Sequence, residues 1–381
     1  MRKLVTLLPF LFVFMAAPPT TAVDSAPRDR ESIRAALDAR KIAFEEIPSG
    51  DGSLLVVPAM GARLIGVFLD GSNAFWVHPD FTEPAGFGGG GERTWLAPEG
   101  HEKGFFFSNE GQWKKPESLD PGRYEPTTPS VAGAHSWATD VDTTVADGTR
   151  YRLRVTREIG PAPNPFDGSP DAAPLKKSLR FVGGVVRNRL KNLESRTLDR
   201  EIGIWSIAVG KPDATIIVPV RPREAGDAYR DAYYERPLPG RLVEKAGALA
   251  FRADGPPRTK FGVPPSRCRG LVASVGPVSG AVWQLVVNRF AVDPDGVYVD
   301  RPRGLPDANG DAAQVYNAPE AGALNFFEME AHAPAVVLKP QGEQEHAVEV
   351  LVFRGPKGSI LEAATRLLHV PVAELPLPDG P

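Results

Sequence analysis

Glycine and proline punctuate this chain at short intervals from end to end, and that spacing restricts what it can build. The 38 glycines and 39 prolines among 381 residues are many for a helical protein. They are still fewer than the roughly 25–30% that marks a disordered chain. Proline lacks a backbone donor and glycine enters turn conformations without steric penalty, so the segments between them are short and the chain turns often. Apolar or alternating runs of strand length recur between the breaks: Leu54 to Val57, Arg63 to Leu69, Gly104 to Phe107, Tyr151 to Glu158, Leu179 to Asn192 and Glu201 to Val209. They continue with Ala214 to Val220, Ala281 to Phe290, Ala323 to Ala331 and Ala347 to Phe353. From Tyr151 to Glu158 the alternation is nearly strict, the mark of a strand with one wet and one buried face. Many such runs separated by turn signals predict antiparallel sheets packed face to face. No fixed period is visible, which disfavours a propeller or a solenoid.

Helical spacing occurs only at the two ends. Ile33, Ala36, Leu37 and Ile42 predict an amphipathic helix within Asp29 to Phe44. Ile360, Leu361, Ala364 and Leu367 predict another from Ser359 to Leu368, with Ser359 as its N-cap. Glu110 to Ser130 and Gly160 to Pro174 read as long loops.

At the N-terminus, Arg2 and Lys3 precede an apolar stretch from Leu4 to Ala17, then Pro18-Pro19 and the small residues Thr20 and Ala22. This pattern reads as a secretory signal peptide cleaved after Ala22, with an apolar run too short to span a membrane comfortably. The expected organisation is a signal peptide at 1–22, a helical segment at 23–45, a β-sandwich at 46–356 and a C-terminal helix and tail at 357–381. Periplasmic or secreted localisation follows, with no membrane span after cleavage. The net charge of −3 and the absence of a basic run beyond the leader argue against nucleic acid as a partner. A single cysteine, Cys268, excludes an internal disulfide and a thiolate-based zinc site.

The run Gly86-Phe-Gly88-Gly-Gly-Gly91 formally matches GxGxxG, but no strand leads into it and Pro98 would disrupt a helix after it. It reads as a mobile or tightly turned loop. Asp293-Pro-Asp295-Gly296 and Asp307-Ala-Asn309-Gly310-Asp311 resemble pieces of calcium loops without completing the spacing, and turn chemistry accounts for them. No motif calls for a cofactor or a metal.

Two constellations carry chemistry. His78, Glu92, Arg93, Trp95 and Glu99 gather beside the glycine run in what reads as a loop. Arg93 offers a rigid fork of donors and Trp95 a flat apolar face, which together suit the hydroxyl rim and C–H faces of a sugar ring. A structural Arg–Glu pair beside a core tryptophan would account for the same residues. In Asn325-Phe-Phe-Glu328-Met-Glu330-Ala-His332, period-2 geometry puts Glu328 and Glu330 on one face about 6–7 Å apart. Phe327, Met329 and Ala331 then face the core. Two adjacent carboxylates raise one another's pKa when poorly solvated, which suits acid–base work near neutrality. An exposed polar strand face is the structural alternative.

Val57-Pro-Ala-Met-Gly61-Ala-Arg63-Leu-Ile-Gly66 through Trp76, Val186-Arg-Asn188 through Trp205, and Glu328-Met-Glu330 through Glu343 follow one another in a familiar order. In these passages the chain resembles the galactose mutarotase-like superfamily, whose best-known members are aldose 1-epimerases. The resemblance implies a mainly β fold, a large antiparallel β-supersandwich with a few short helices and a carbohydrate cleft on one sheet. It implies a general base at Glu330, with Glu328 as the alternative, and sugar-binding roles near Arg93. Trp205 stands where the family's catalytic histidine is expected, so His78 or His101 would have to reach the cleft from a loop. The expected cleft is lined by Arg93, Trp95, Glu99, Trp205, Glu328 and Glu330, with Lys260 as a further candidate. The expected partner is a mono- or oligosaccharide, bound by an epimerase-like isomerase acting on its anomeric centre. The alternatives are a non-catalytic carbohydrate-binding protein and an envelope interaction protein.

Overall fold

A computed structural model describes residues 29–378 apart from 83–88, 101–103, 109–110, 223–228, 255, 303–304, 306–308 and 319–324. The leader expected at 1–22 lies outside the described residues, as do His101 and the first part of the glycine run. No helix among the described residues is long and apolar enough to cross a membrane.

The described strands form two antiparallel sheets. The front sheet runs in the order Glu45–Ser49, Gly52–Val57, Arg63–Leu69, Glu92–Ala97, Gly203–Gly210, Phe326–His332, Ala313–Ala318, Thr259–Val263. The back sheet runs Leu242–Lys245, Ala248–Ala253, Ala214–Pro219, Leu271–Ser279, Val282–Phe290, Glu343–Pro356, Arg180–Asn192, Arg150–Pro161, His135–Thr144, Glu125–Thr127. These two large antiparallel sheets make the mainly β sandwich that the resemblance implies. The core between the sheets joins Val56, Leu64, Leu96, Ile204 and Met329 of the front to Val155, Val186, Leu190 and Val350 of the back. Arg150–Pro161 keeps the alternation of its sequence, with Tyr151, Leu153 and Val155 buried and Arg152 and Arg154 exposed.

Helices cover the outer faces where the sheets are apolar on both sides. Arg30–Ala39 is capped by Asp29, whose side chain accepts from the Ser32 N–H at 2.7 Å. The helix lays Ile33 and Leu37 on Leu55, Val57, Ile65 and Phe68 of the front sheet. Lys357–Leu368 lays Ile360, Ala363, Ala364 and Leu368 on Ile217, Ala273, Leu285 and Phe353 of the back sheet. This helix starts earlier than expected, so its N-cap is Pro356 and not Ser359, and no side chain caps it.

Several local expectations are corrected. Gly104 to Phe107 forms no strand, and Phe107 makes an isolated bridge to Trp113. Arg93 and Trp95 lie on a central strand of the front sheet and not in a loop. The two segments read as long loops contain the short strand Glu125–Thr127 and the 3-10 turn Pro170–Ala172. The end of the glycine run is a close backbone passage: a Cβ on Gly90 would lie 2.2 Å from the Trp76 carbonyl, and one on Gly91 2.6 Å from that of Leu64. Both glycines also have positive φ, at 83° and 71°. Cys268 is fully buried, and burial pushes its thiol up to about 12.

Candidate functional site

Strand register assembles one polar cluster on the outer face of the front sheet. Within Glu92–Ala97, Thr94 bonds Asn188 of the back sheet at 2.7 Å. Glu92 likewise turns inward, pairing with Arg157 and accepting from the Ser206 hydroxyl at 2.6 Å. Period 2 then sends Arg93 and Trp95 to the outer face. Trp95 lies opposite Trp205, and Trp205 opposite His332. Ile207 lies between Arg93 and Glu330, and Glu330 is opposite Gln314. Tyr316 lies between Glu328 and Lys260. Residues directly opposite in an antiparallel ladder share a face, so all of these look the same way. Arg93 and Glu330 are two strand spacings apart, about 10 Å.

The floor is aromatic. Trp95 and Trp205 meet edge to face with ring centroids 5.3 Å apart, and Trp205 stacks on His332 at 5.0 Å. The Arg93 guanidinium lies 4.5 Å from the Trp95 ring centroid, and the Lys260 ammonium 4.7 Å from that of Trp205. Trp95 is held from beneath by its indole N–H, which donates to Asp120 at 2.7 Å, and Asp120 is paired with Arg63 at 2.6 Å. Burial alone would raise the Asp120 carboxyl, yet Arg63, Lys115 and Arg93 hold it down at about 2.

Both cations are already paired. Arg93 bonds Glu328 at 2.7 Å and Lys260 bonds Glu330 at 2.9 Å, and all four residues are buried. Two more carboxylates complete the cluster. Asp300 accepts from the Glu99 N–H and from Gln314, both at 2.9 Å, and the Glu99 carboxylate accepts from the Trp113 indole at 3.2 Å. Carboxylates therefore outnumber cations, and the surplus decides the protonation states. Burial pushes Glu330 up to about 8; Lys260 pulls against that shift while Glu328 and Asp300 add to it. Burial also raises Glu99, opposed by Lys260 and helped by Asp300. Burial works against the charge on Lys260, but Glu330, Asp300 and Glu99 outweigh it and hold the amine above its usual range. Burial lowers His332 to about 3 despite Asp300, so its imidazole is neutral at physiological pH.

Among the described residues, seven of the buried side-chain atoms without a hydrogen-bond partner lie here. They include Arg93 Nε and Nη1, Glu330 Oε1, Trp205 Nε1, Gln314 Oε1 and both ring nitrogens of His332. Each such buried group costs about 1–3 kcal/mol unless something satisfies it. Donors and acceptors are interleaved beside the two indoles.

Residues 49–376 match a family of unknown function, DUF6786. The chain belongs to that family. No curated protein is similar enough in sequence to count as a relative. In structure, this DUF6786 protein is similar to the Slr1438 protein from Synechocystis sp. PCC 6803, with a TM-score of 0.50, 12% identity, and 81% of this chain and 95% of that chain covered. That likeness is one of fold alone. A putative aldose 1-epimerase from Escherichia coli K12 gives a TM-score of 0.48 at 12% identity, covering 81% of this chain and 98% of that chain. A galactose mutarotase-like protein from Lactobacillus casei ATCC 334 gives 0.49 at 9% identity, covering 81% and 100%.

Seven of the residues singled out from the DUF6786 sequence meet at this site: Arg93, Trp95, Glu99, Trp205, Lys260, Glu328 and Glu330. His78 is engaged elsewhere. Its Nδ1 accepts from the Asp80 N–H at 2.9 Å and its ring meets Trp76 edge-on at 5.8 Å, and no contact described for it reaches Arg93, Glu328, Glu330 or Lys260. Sequence reasoning missed Asp300, Gln314 and Tyr233 and gave His332 no role. Gln314 and Tyr316 alternate on a strand flanked by breakers, a period-2 signal too short to stand out. Asp300 follows a turn-rich segment that resembles any surface loop. Tyr233 donates to Asp311 at 2.6 Å and accepts from Gln314 at 2.6 Å, and burial raises Asp311 to about 7.

Proposed function

We propose that this protein is an exported carbohydrate-binding protein that holds a neutral sugar against Trp95 and Trp205 and exchanges protons with its anomeric centre through Glu330. The observation that carries the reading is the set of unpaired donors and acceptors around Arg93 and Glu330 above the indole floor. A sugar hydroxyl both donates and accepts, so one polyol can satisfy Arg93, Trp205, Gln314 and Glu330 together. An anion would find Arg93 already paired with Glu328 and more carboxylates than cations. An apolar ligand would leave every polar group unsatisfied.

Proton exchange needs two groups on one face. Glu330 carries a proton near neutrality, while His332, two positions along the strand, presents neutral ring nitrogens. Ring opening proceeds when Glu330 protonates the ring oxygen while His332 takes the proton of the anomeric hydroxyl; the C1–O bond of the ring breaks and the aldehyde forms. Closure on the other face of the carbonyl reverses both transfers and yields the other anomer. This makes Glu330 the acid in the opening step and the base in closure.

The binding test is a titration with neutral monosaccharides followed by tryptophan emission. Arg93→Lys keeps a charge near Glu328 but removes the guanidinium fork, so affinity should fall roughly 10- to 100-fold, as expected for charge-assisted hydrogen bonds. Equal affinity in the variant, or a uronate that binds more tightly than its neutral sugar, sinks the reading. Export rests on Arg2, Lys3 and the apolar stretch from Leu4 to Ala17. Amino-terminal sequencing of protein recovered outside the cytoplasm should begin at Val23; recovery of the intact chain from the cytoplasm would refute it.

A further inference from the structure

Gln314 and Glu330 stand directly opposite each other on neighbouring strands, and both are fully buried. Side chains so placed have Cβ atoms about 4.5–5.5 Å apart and share one face of the sheet. Each carries an oxygen without a partner, Oε1 in both residues. The other Glu330 oxygen accepts from Lys260 at 2.9 Å. An amide oxygen and an ionised carboxylate oxygen can only accept, so this arrangement leaves both unsatisfied unless one of them brings a hydrogen.

The Gln314 amide cannot turn over to supply it. Its Nε2 donates to the Tyr233 hydroxyl at 2.6 Å and to Asp300 at 2.9 Å. Tyr233 has one hydroxyl proton and gives it to Asp311 at 2.6 Å, so its oxygen serves Gln314 as an acceptor. Asp311 is held in turn by Arg230 at 2.7 Å, and Arg230 also donates to the Asn309 carbonyl at 2.6 Å. Exchanging the amide nitrogen and oxygen would aim an acceptor at Tyr233 and Asp300 together. The chain from Arg230 through Asp311 and Tyr233 therefore fixes Gln314 Oε1 as an acceptor on the face it shares with Glu330.

We propose that Gln314 is a positioning residue: Glu330 carries its proton on Oε1 and donates it to Gln314 Oε1, which holds that proton in place until a sugar takes it. This rests on the reading of Glu330 as the acid and adds how its proton is kept. Once the proton has passed to the ring oxygen, Gln314 Oε1 is free to accept from a sugar hydroxyl. The charges around Glu330 pull in both directions. Lys260 favours its ionised form, while Glu328 and Asp300 favour the protonated one. Arg93, Tyr233 and Tyr234 also feel its charge, and His332, two positions along its strand, is neutral at physiological pH.

The test is an infrared pH titration of the full chain without sugar, following the carbonyl stretch of protonated carboxyls. The part of that band missing in Glu330→Gln belongs to Glu330, and its midpoint should lie near pH 8. Gln314→Met keeps the bulk of the side chain but removes the acceptor. The midpoint should then fall by about one pH unit, the worth of one hydrogen bond to the protonated form. Tyr233→Phe removes one of the two acceptors that orient the amide, leaves Gln314 and Glu330 in place, and should move the midpoint the same way by less. A midpoint that stays or rises in folded Gln314→Met overturns the proposal, because a drier site or the loss of a water donating to both oxygens would act in that direction. If the methionine variant does not fold, an unmoved midpoint in Tyr233→Phe overturns it instead. Neither result touches the carbohydrate reading, since no sugar is present; a protein that shows the shift but binds no sugar contradicts that reading alone.

Discussion

Replacing Glu330 with glutamine should stop sugar anomerisation. The amide keeps the shape of the side chain but cannot cycle a proton, and loss of a general acid–base group costs about 10²–10⁴-fold. The natural protein should interconvert the anomers of its sugar faster than buffer alone, as read by magnetisation exchange between the two anomeric protons. In Glu330→Gln the rate should return to that of buffer, with the loss in kcat exceeding any loss in affinity. Because burial pushes Glu330 up to about 8, kcat/KM of the natural protein should bend near pH 8. Anomerisation that persists in Glu330→Gln removes Glu330 from the chemistry. A natural protein that binds its sugar but never exceeds buffer is a non-catalytic binding protein, and the low basicity of His332 would then be the reason.

Lys260→Met should be the most destabilising substitution at the site. Methionine replaces the alkyl stem on Trp205 but removes the ammonium paired with Glu330 and acting on Asp300 and Glu99, while Arg93 stays committed to Glu328. Removing one partner of a buried pair costs about 3–5 kcal/mol. The pH dependence has a definite sign. The folded pKa of Glu330 lies above its unfolded value, so the folded state binds more protons and stability falls as pH rises toward 8. Asp311, raised to about 7, acts in the same direction. His332 and His346, lowered to about 3 and about 4, instead cost stability as pH falls below their unfolded value. The window from pH 6.5 to 8 therefore isolates the carboxyls. There, denaturant unfolding of the natural protein should lose as much as about 1.4 kcal/mol per pH unit through Glu330, and Glu330→Gln should flatten that slope. The deficit of Lys260→Met should be largest at pH 8. A deficit under about 1 kcal/mol at that pH would mean that the cluster is not a buried charge system.

The sequence revealed those parts of the fold whose signal is local. Arg150–Pro161 announced its wet and dry faces residue by residue, and Ile33 and Leu37 marked the helix that covers the front sheet. Glu92–Ala97 did not read as a strand because burial on both faces erases alternation, and Glu92, Arg93 and Thr94 look like loop residues until Arg157, Glu328 and Asn188 are seen opposite them. The pair Glu328 and Glu330 was legible because period 2 alone puts them on one face. The ion pairs that govern them were not, since Arg93 is 235 positions from Glu328 and Lys260 is 70 from Glu330. Register across five strands, which no local pattern encodes, brings them together. The same register puts His332 beside Trp205, in the neighbourhood where a histidine from a loop was expected.

A crystal structure of the protein soaked with the neutral sugar that binds most tightly decides directly where the sugar sits. Its ring should lie over Trp95 and Trp205, with hydroxyls within hydrogen-bond distance of Arg93 Nη1 and Glu330 Oε1. A sugar found instead in the groove of the back sheet between Arg154, Thr156 and Arg189, with the face of Arg93 and Glu330 unchanged, would contradict that placement.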